Sequence, residues 1–253
     1  MSDRDGHVGV WDLSLPRTKP RSVTRAVLHR VTGSLSSVAA MPLLKLFLNI
    51  AWVSRRLAFE LSCKTLGSSF VEDAMGLTDA MIEAVIPENA VVLDLGCGSG
   101  RASRKVARRA SRVIGIDRDR HLLEVGHELG LPDNVRLVYG DITHPLPDQV
   151  GDPAVDVALL IHCLEHIDDV ESLLESLYSF AAALVVEVPD FEADILNRVR
   201  YELDCPWYSD GDHIREYTAD SLIAQLGDCL WETSQVWHSN GSIVVLAYPR
   251  GSD

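Results

Sequence analysis

The stretch VVLDLGCGSG, residues 91–100, places an almost unbroken apolar run directly before three closely spaced glycines. The apolar run predicts a buried strand. Glycine tolerates backbone conformations that other residues resist, so the turn can be tight and a ligand can approach its backbone closely. A dinucleotide-binding turn has a third small residue where this chain has Arg101, and the glycines are spaced G-x-G-x-G instead. The stretch predicts a ligand-binding turn followed by a helix, rather than an ordinary connection.

Strand-like and helical patterns alternate from residue 78 onward. Strands separated by helices of this size predict βαβ units, hence an α/β fold with a parallel sheet that binds ligands at the carboxyl ends of its strands. The Asn-Gly at 240–241 predicts a closing hairpin. The predicted strands are 91–95, 112–116, 135–139, 155–161, 183–188, 231–238 and 243–248, and the predicted helices are 78–86, 100–110, 119–129, 170–180 and 218–226.

The N-terminal quarter has a different pattern. Residues 1–22 mix Gly, Pro and Arg without a period and predict a flexible basic arm. Residues 23–74 predict a helical extension whose apolar face packs on the core, forms a homodimer contact or serves as a lid over a substrate cleft. Its most apolar part, 41–59, is interrupted by Lys45, Asn49, Arg55 and Arg56 and falls short of the roughly 20 apolar residues that span a bilayer. We therefore expect no membrane span.

Charge is distributed unevenly along the chain. The net charge is −14, yet residues 1–64 hold ten Lys or Arg against four Asp or Glu, whereas residues 65–253 hold thirteen against thirty-three. Nucleic-acid enzymes need basic grooves because phosphate contacts supply most of their affinity. An acidic body with a net charge near −20 therefore makes a nucleic-acid substrate a poor fit and favours a small-molecule acceptor.

The five cysteines are scattered, and they form no CxxC pair. They predict reduced thiols rather than a disulfide framework or a zinc knuckle. The first residues lack the apolar segment of a secretory signal. We expect a cytoplasmic protein.

Two acidic residues end the next two predicted strands. Asp117 follows the strand VIGI, where its carboxylate can accept hydrogen bonds from both hydroxyls of a ribose. Asp141 and Ile142 follow the third strand, where an acid suits the exocyclic amine of an adenine and an aliphatic side chain covers its ring. The alternative for Asp141 is a plain turn carboxylate.

With these motifs in this order, the chain resembles the class I S-adenosylmethionine-dependent methyltransferases over about residues 75–250. The resemblance rests on VLDLGCGSG, VIGIDRD, GDI, DVALLIHCLEH and the closing hairpin. It implies a Rossmann-like, seven-stranded, mostly parallel sheet with an antiparallel last strand, and S-adenosylmethionine as cofactor. It also implies that the methionine end of the cofactor lies over the glycine turn, and it gives these cofactor-binding residues: Asp94, Gly96, Gly98, Asp117, Asp141, Ile142 and His162.

The stretch HCLEHIDD, residues 162–169, ends the fourth predicted strand, beside the expected methyl group. His162, Glu165 and His166 share one face if a helix begins there. Three interpretations are open. His162 can pack at the strand end while Glu165 caps the turn, or His166 or His162 can act as a general base without metal. In the third, which we favour, Glu165 and His166 bind a divalent metal with ligands from elsewhere.

A later stretch, DHIREYT at 212–218, favours the metal. Together the two stretches are similar to a pattern in the small-RNA 2′-O-methyltransferases, where a Glu-x-x-Glu-His segment and a later His bind Mg²⁺. The resemblance implies metal ligation by Glu165, His166 and His213. His162 stands where that family has Glu, and nitrogen ligands are unusual for Mg²⁺, which prefers oxygen.

Other residues are candidates for the acceptor site, and residues 190–217 are predicted to form an acceptor-binding insertion. His144 is a candidate base that follows Asp141. Glu187 and Asp190 end the fifth strand, where they either meet acceptor hydroxyls or cap the loop. Aromatic residues that either line a sugar or ring pocket or pack a surface insertion are Tyr201, Trp207 and Tyr208.

The chain is also similar in general build to bacterial sugar O-methyltransferases, actinobacterial mannoside O-methyltransferases among them. These observations predict methyl transfer to a hydroxyl of a small polar acceptor, a saccharide, with Mg²⁺ assisting. One alternative is a metal-free His-base O- or N-methyltransferase of a lipid-like or polyketide metabolite. Another is an RNA-binding, methyltransferase-like protein that uses the basic arm.

Overall fold

The computed structural model describes residues 23–66, 76–144, 150, 154–205 and 212–251. The predicted arm, Trp207 and Tyr208 lie outside these residues, as does part of the acceptor region. By its internal contacts the chain divides into two compact units, Met1–Phe47 and Leu48–Asp253.

Helices and strands alternate through the second unit. The two N-terminal helices are α1 (Val23–Gly33) and α2 (Ser37–Leu66). The elements that follow are α3 (Gly76–Val85), β1 (Val91–Leu95), α4 (Arg101–Val106), β2 (Arg112–Asp117), α5 (Arg120–Glu128), β3 (Val135–Tyr139), β4 (Val157–Ile161), a 3₁₀ helix (Leu164–His166), α6 (Val170–Tyr178), β5 (Leu184–Pro189), a 3₁₀ helix (Phe191–Ala193), α7 (Ile195–Glu202), α8 (Ala219–Asp228), β6 (Trp231–Ser239) and β7 (Ser242–Pro249).

The seven strands form one sheet in the order β3-β2-β1-β4-β5-β7-β6. All pairs from β3 to β5 are parallel, and β7 runs antiparallel to both of its neighbours. The order reverses between β1 and β4, and a reversal of this kind opens a crevice at the carboxyl ends of the two strands. The predicted Rossmann-like, mostly parallel sheet with an antiparallel last strand is therefore confirmed.

The central strands supply both layers of the core. Side chains alternate across a sheet, so Leu93 and Leu95 of β1 belong to one hydrophobic cluster and Val92 belongs to the other. In β4, Leu160 and Leu159 divide in the same way. A parallel strand covered on both faces gains stability from an unbroken apolar sequence, which explains the runs that predicted these strands.

The predicted elements are present with shifted ends. The helix expected at 100–110 ends at Val106, and the strand expected at 155–161 begins at Val157. Val155 forms an isolated parallel bridge with Ala181 instead. Helix α7 had no counterpart among the predicted elements. Its start is a local signal that was missed, because the Asp194 carboxylate accepts a hydrogen bond from the Leu196 N–H and caps the helix.

Helix α2 is the longest of the described helices, with 30 residues. Among the described residues it alone is long and apolar enough to cross a membrane, judged by length and composition only, and 6% of its most apolar window is buried. The expectation that the chain has no membrane span stays a prediction. The expected homodimer contact through these helices also stays a prediction.

Two glycines let α5 and β2 approach the glycine turn closely. A Cβ at Gly126 in α5 would lie 2.6 Å from the Ser99 carbonyl oxygen, and a Cβ at Gly115 in β2 would lie 2.8 Å from the Cys97 Sγ. Contacts this short are repulsive, so a side chain at either position would push α5 or the turn outward. The close approach fixes the turn against the sheet.

We expect Gly126→Ala to lower the free energy of unfolding by about 1 to 3 kcal/mol, because the backbone oxygen of Ser99 cannot move aside as a side chain can. Gly33→Ala is the matched control, since a Cβ there meets nothing within 4 Å. Urea unfolding followed by circular dichroism measures both. Equal stabilities for the two variants would contradict the close packing.

Candidate active site

The glycine turn between β1 and α4 depends on left-handed backbone conformations. Gly96, Gly98 and Gly100 have φ angles of 71°, 53° and 78°. Only glycine adopts such angles without strain, which explains the G-x-G-x-G spacing. The Asp117 Oδ2 accepts a hydrogen bond from the Gly98 N–H at 2.7 Å, and its Oδ1 accepts one from the Asp119 N–H. Asp117 therefore holds the turn against the end of β2.

Asp94, in β1 just before this turn, is buried. Its Oδ2 accepts a hydrogen bond from the Ser103 Oγ of α4 at 2.5 Å. Burial raises the pKa of Asp94 to about 6, against the lowering effect of the Ser103 hydrogen bond. Arg101, at the position where a small residue would mark a dinucleotide turn, pairs with the buried Asp79 of α3. Both polar pairs fasten neighbouring helices to the turn.

The residues predicted for adenine lie after β3. The Asp141 Oδ1 accepts hydrogen bonds from the N–H and the hydroxyl of Thr143, which lower the pKa of Asp141. Ile142 is buried in the hydrophobic core. The His144 Nδ1 lies 3.5 Å from the Asp141 Oδ2, and its side chain is exposed. The structure therefore places His144 with the predicted adenine residues.

The end of β4 lies directly against the glycine turn. A Cβ at Gly96 would lie 3.1 Å from the Cys163 Sγ. His162 has a left-handed φ of 49°, and its N–H donates to the Glu187 carbonyl at the end of β5. The polar residues after β4 thus lie beside the crevice where the strand order reverses, as predicted.

His162 bridges two buried carboxylates. Its Nδ1 lies 3.5 Å from the Glu165 Oε1, and its Nε2 lies 3.2 Å from the Glu187 Oε1. Burial alone would lower the pKa of His162, but the two carboxylates raise it to about 9. Both contacts are ion pairs without good hydrogen-bond alignment, and among the described residues no group donates a hydrogen bond to either carboxylate. His162 is therefore a cation that neutralises buried charge.

The helix expected to start at HCLEH is only a 3₁₀ turn, Leu164–His166. The left-handed residue His162 precedes it, and α6 begins later, where the Asp169 carboxylate caps its first turn through Ser172. Asp169 is therefore the N-cap residue of α6. Glu165 and His166 nevertheless remain side by side on the short turn.

Three predicted metal ligands lie together. Glu165, His166 and His213 each offer a ligand atom, and these atoms lie within 4.8 Å of one another. Backbone contacts hold the two segments in register, because the Ile214 N–H donates to the Glu165 carbonyl at 3.0 Å and the Arg215 guanidinium donates to the Asp168 carbonyl. The rings of His166 and His213 contact edge to face at 4.7 Å. The sequence thus brings together the donor atoms that the metal hypothesis required.

Neighbouring acids orient the two imidazoles. The His213 Nδ1 lies 2.9 Å from the buried Glu216 Oε1, and the His166 Nδ1 lies 3.4 Å from the Asp212 Oδ2. A carboxylate on Nδ1 favours the proton there, so the lone pair lies on Nε2, which is the usual arrangement of metal-binding histidines. Glu216 was missed in the sequence, although its spacing of three from His213 is a usable signal.

The remaining acceptor candidates have mostly structural partners. Asp190 accepts a hydrogen bond from the Glu192 N–H and pairs with His238, so the loop-capping interpretation is confirmed. The Tyr201 ring contacts Phe191 and is exposed. Glu187 is the exception, because its buried carboxylate faces His162. Ser103, the partner of Asp94, was not predicted, since one serine in a helix has no distinguishing pattern.

The raised pKa of Asp94 predicts a pH-dependent stability. Between about pH 4 and pH 7 the folded state holds a proton that the unfolded state releases, so this group lowers stability as the pH rises, by up to about 3 kcal/mol. Asp94→Asn removes that dependence. The free energy of unfolding of Asp94→Asn minus that of the wild type should therefore grow as the pH rises over this range. Urea titrations at a series of pH values measure it. Parallel pH profiles would contradict the assignment.

Removing the imidazolium should leave two buried carboxylates uncompensated. We expect His162→Asn, which tolerates the left-handed backbone, to lower the free energy of unfolding by about 2 to 3 kcal/mol in EDTA. Adding Glu187→Gln removes one of the two charges and should recover at least half of the loss. Chemical unfolding of both variants measures the coupling. A double variant as unstable as the sum of the two single ones would refute the bridge.

Comparison with known proteins finds similarity over residues 93–181, the part of the chain from β1 to the end of α6. The family model described as "Methyltransferase domain" matches residues 93–181. A ubiquinone biosynthesis O-methyltransferase from Aeromonas salmonicida (strain A449) is 35% identical over 91 residues, 34% of this chain and 36% of that protein. A demethylmenaquinone methyltransferase from Tropheryma whipplei (strain Twist) is 30% identical over 109 residues, 42% of this chain and 43% of that protein. The chain spans about a third to two fifths of the length of these curated relatives.

Solved structures share the fold beyond the matched segment. Magnesium protoporphyrin IX methyltransferase from Synechocystis PCC 6803, solved with bound SAH, has a TM-score of 0.54 and 15% identity, covering 70% of this chain and 83% of that one. At this identity the likeness concerns the fold alone. The similarity to the family model is thus confined to residues 93–181, and the solved structure shares the Rossmann-like fold with this chain.

Proposed function

We propose that the protein transfers a methyl group from S-adenosylmethionine to a hydroxyl of a saccharide bound through a divalent cation. The observation that supports this most is the cluster of Glu165, His166 and His213, with ligand atoms within 4.8 Å of one another. The cluster lies just beyond Cys163, which touches the glycine turn. An acceptor held there would be next to the methyl group of a cofactor bound over that turn.

The cofactor half of the proposal rests on the glycine turn and the acids around it. The open side of Gly98 leaves room for a ligand, since a Cβ there would meet only Leu122, at 3.8 Å. Each oxygen of Asp117 accepts one backbone hydrogen bond, and a carboxylate oxygen can accept a second, here from a ribose hydroxyl. Asp141 and Ile142 are the proposed adenine neighbours. The matched family and the SAH-bound structure support this choice of cofactor.

The donor atoms fit a divalent cation by their chemistry. Glu165 is buried, and no described group donates a hydrogen bond to its carboxylate, a costly state unless a cation is near. The His162 imidazolium supplies part of the positive charge that the buried Glu165 carboxylate needs. Two imidazoles and one carboxylate suit Mn²⁺, Fe²⁺, Co²⁺ or Zn²⁺ better than Mg²⁺, which prefers oxygen ligands. Mg²⁺ stays the expectation from the family pattern, and the donor set favours the softer ions.

In this proposal, side chains of the cluster and its neighbours position the acceptor and stabilise the negative charge on its hydroxyl oxygen. When bound, a divalent cation supplies a positive charge that lowers the pKa of an acceptor hydroxyl. Glu165, His166 and His213 would hold that ion, and Glu216 and Asp212 fix the orientation of the two imidazoles. With both nitrogens facing carboxylates, His162 is better suited to neutralising charge than to accepting a proton. Holding the acceptor oxygen in line with the methyl group supplies much of the rate acceleration.

A saccharide fits this arrangement because a pair of neighbouring hydroxyls can bind one cation while the acidic body repels polyanions. The acidic body also argues against the RNA-binding alternative. A lipid-like acceptor is the second candidate, and the names of the ubiquinone and demethylmenaquinone relatives favour it. In that case His166 would act as a general base without metal. The two candidates differ in their need for the cation.

The decisive assay transfers labelled methyl from S-adenosylmethionine to a panel of sugars and quinols, after chelation and after adding back Mg²⁺ or Mn²⁺. We expect transfer to a sugar, loss of activity after chelation, and recovery with Mn²⁺ at least as complete as with Mg²⁺. Glu165→Gln and His213→Ala should each reduce the rate at least a hundredfold and weaken Mn²⁺ binding measured by calorimetry.

His127→Ala is the matched control, because His127 is exposed at the end of α5 and outside the cluster. It should retain both activity and Mn²⁺ binding. Full activity in EDTA, or after His213→Ala, would exclude the metal-assisted reaction. Transfer to a quinol but to no sugar would favour the second candidate.

A further inference from the structure

Arg101 presents a positive charge directly beside the glycine turn. It is the first residue of α4, and one N–H of its guanidinium donates to the Oδ1 of Asp79 in the first turn of α3. Its side chain is 23% exposed. A guanidinium carries several N–H donors in a planar fork, and Arg101 forms no other hydrogen bond with a residue that the structure describes. Part of the fork is therefore available to a ligand.

The first turn of α3 keeps this guanidinium at the edge of the sheet where β5 ends. Asp79 is buried, and a buried carboxylate is stable only beside a cation, so the Asp79 side chain holds Arg101 in place. The neighbouring Thr78 hydroxyl donates to the Ser239 Oγ at the end of β6 at 3.3 Å. Because β7 is antiparallel to both β5 and β6, β6 ends at the same edge as β5. The candidate active site lies at this edge.

The order of the strands places the amino-acid end of the proposed cofactor on the side of Arg101. Adenine is assigned to Asp141 after β3, and the ribose is assigned to Asp117 after β2. The sheet continues from β3 through β2 to β1, whose end leads into the glycine turn and Arg101. S-adenosylmethionine bound along this edge extends from the ribose towards β1 with its amino-acid end, which carries an α-carboxylate.

Acids beside the glycine turn make a cation necessary for that carboxylate. Asp94 is buried just before the turn, and Asp117 accepts a hydrogen bond from a backbone N–H of the turn. Like charges repel strongly where water is partly excluded, so a further carboxylate needs a nearby positive charge. The planar fork of Arg101 suits a carboxylate, which it can bind through two hydrogen bonds. Arg104, one turn further along α4, donates to the Ser99 carbonyl instead.

We propose that Arg101 binds the α-carboxylate of S-adenosylmethionine, and that Asp79 positions the guanidinium for this contact. The inference rests on the proposed cofactor, and it is independent of the acceptor and of the metal. A purely structural pair, which only fastens α3 to the turn, would affect the binding of every part of the cofactor alike. A contact with the carboxylate affects only compounds that carry this group.

Calorimetry without acceptor separates these two roles. The two probes are S-adenosylmethionine and decarboxylated S-adenosylmethionine, which lacks only the α-carboxylate. We expect the wild type to bind the first compound at least about tenfold more tightly than the second. Arg101→Gln should weaken the binding of S-adenosylmethionine at least about tenfold and change the binding of the decarboxylated compound less than about twofold.

A second variant is needed because Arg101→Gln leaves the buried Asp79 carboxylate without its cation. Asp79→Asn combined with Arg101→Gln removes both charges and should show the same selective loss. Arg108→Gln is the charge-matched control, since Arg108 is exposed just beyond the end of α4. It should bind both compounds as the wild type does.

The result that would overturn the inference is equal weakening of both compounds in Arg101→Gln and in the double variant. The proposed cofactor would survive that result, because the wild type would still bind it. A wild type that binds neither compound would overturn the proposed cofactor together with the role of Arg101.

Discussion

Two buried carboxylates, Glu165 and Glu187, constrain the structure around the ends of β4 and β5. Glu165 lies in the 3₁₀ turn that follows β4, Glu187 lies near the end of β5, and each is almost inaccessible to water. A buried negative charge is stable only next to a positive one. His162 supplies it by adopting a left-handed backbone that turns its ring between them. The same turn directs Glu165 and His166 towards His213, so the geometry of the candidate metal ligands follows from how the buried charge is neutralised.

The glycine turn depends on a different constraint, which is the close packing of backbone atoms. The glycine turn lies so near to β2 and α5 that Gly115 and Gly126 have no room for a side chain. Asp117 then fixes the turn through the Gly98 N–H, and Asp94 fixes the following helix through Ser103. These contacts orient the turn before any ligand binds. A preorganised turn loses less entropy on binding than a flexible loop would.

The two halves meet where Cys163 touches Gly96. That contact brings the residues after β4, the candidate metal ligands among them, close to the glycine turn. The matched family model covers residues 93–181, whereas His213 and Glu216 lie after residue 181. The proposed metal site therefore uses residues that lie outside the family match.

The sequence by itself determined the strands, their α/β order, the glycine turn and the acids that end β2 and β3, because local periodicity and backbone preference fix these features. It also named Glu165 and His166 from their spacing after the fourth strand, and His213 by resemblance. It did not reveal α7, whose capping Asp194 falls within the predicted acceptor-binding insertion, nor the partners Ser103 and Glu216. Only the tertiary structure decided that the three candidate ligands converge and that both nitrogens of His162 face buried acids. These features depend on contacts between residues distant in the chain, which no local pattern encodes.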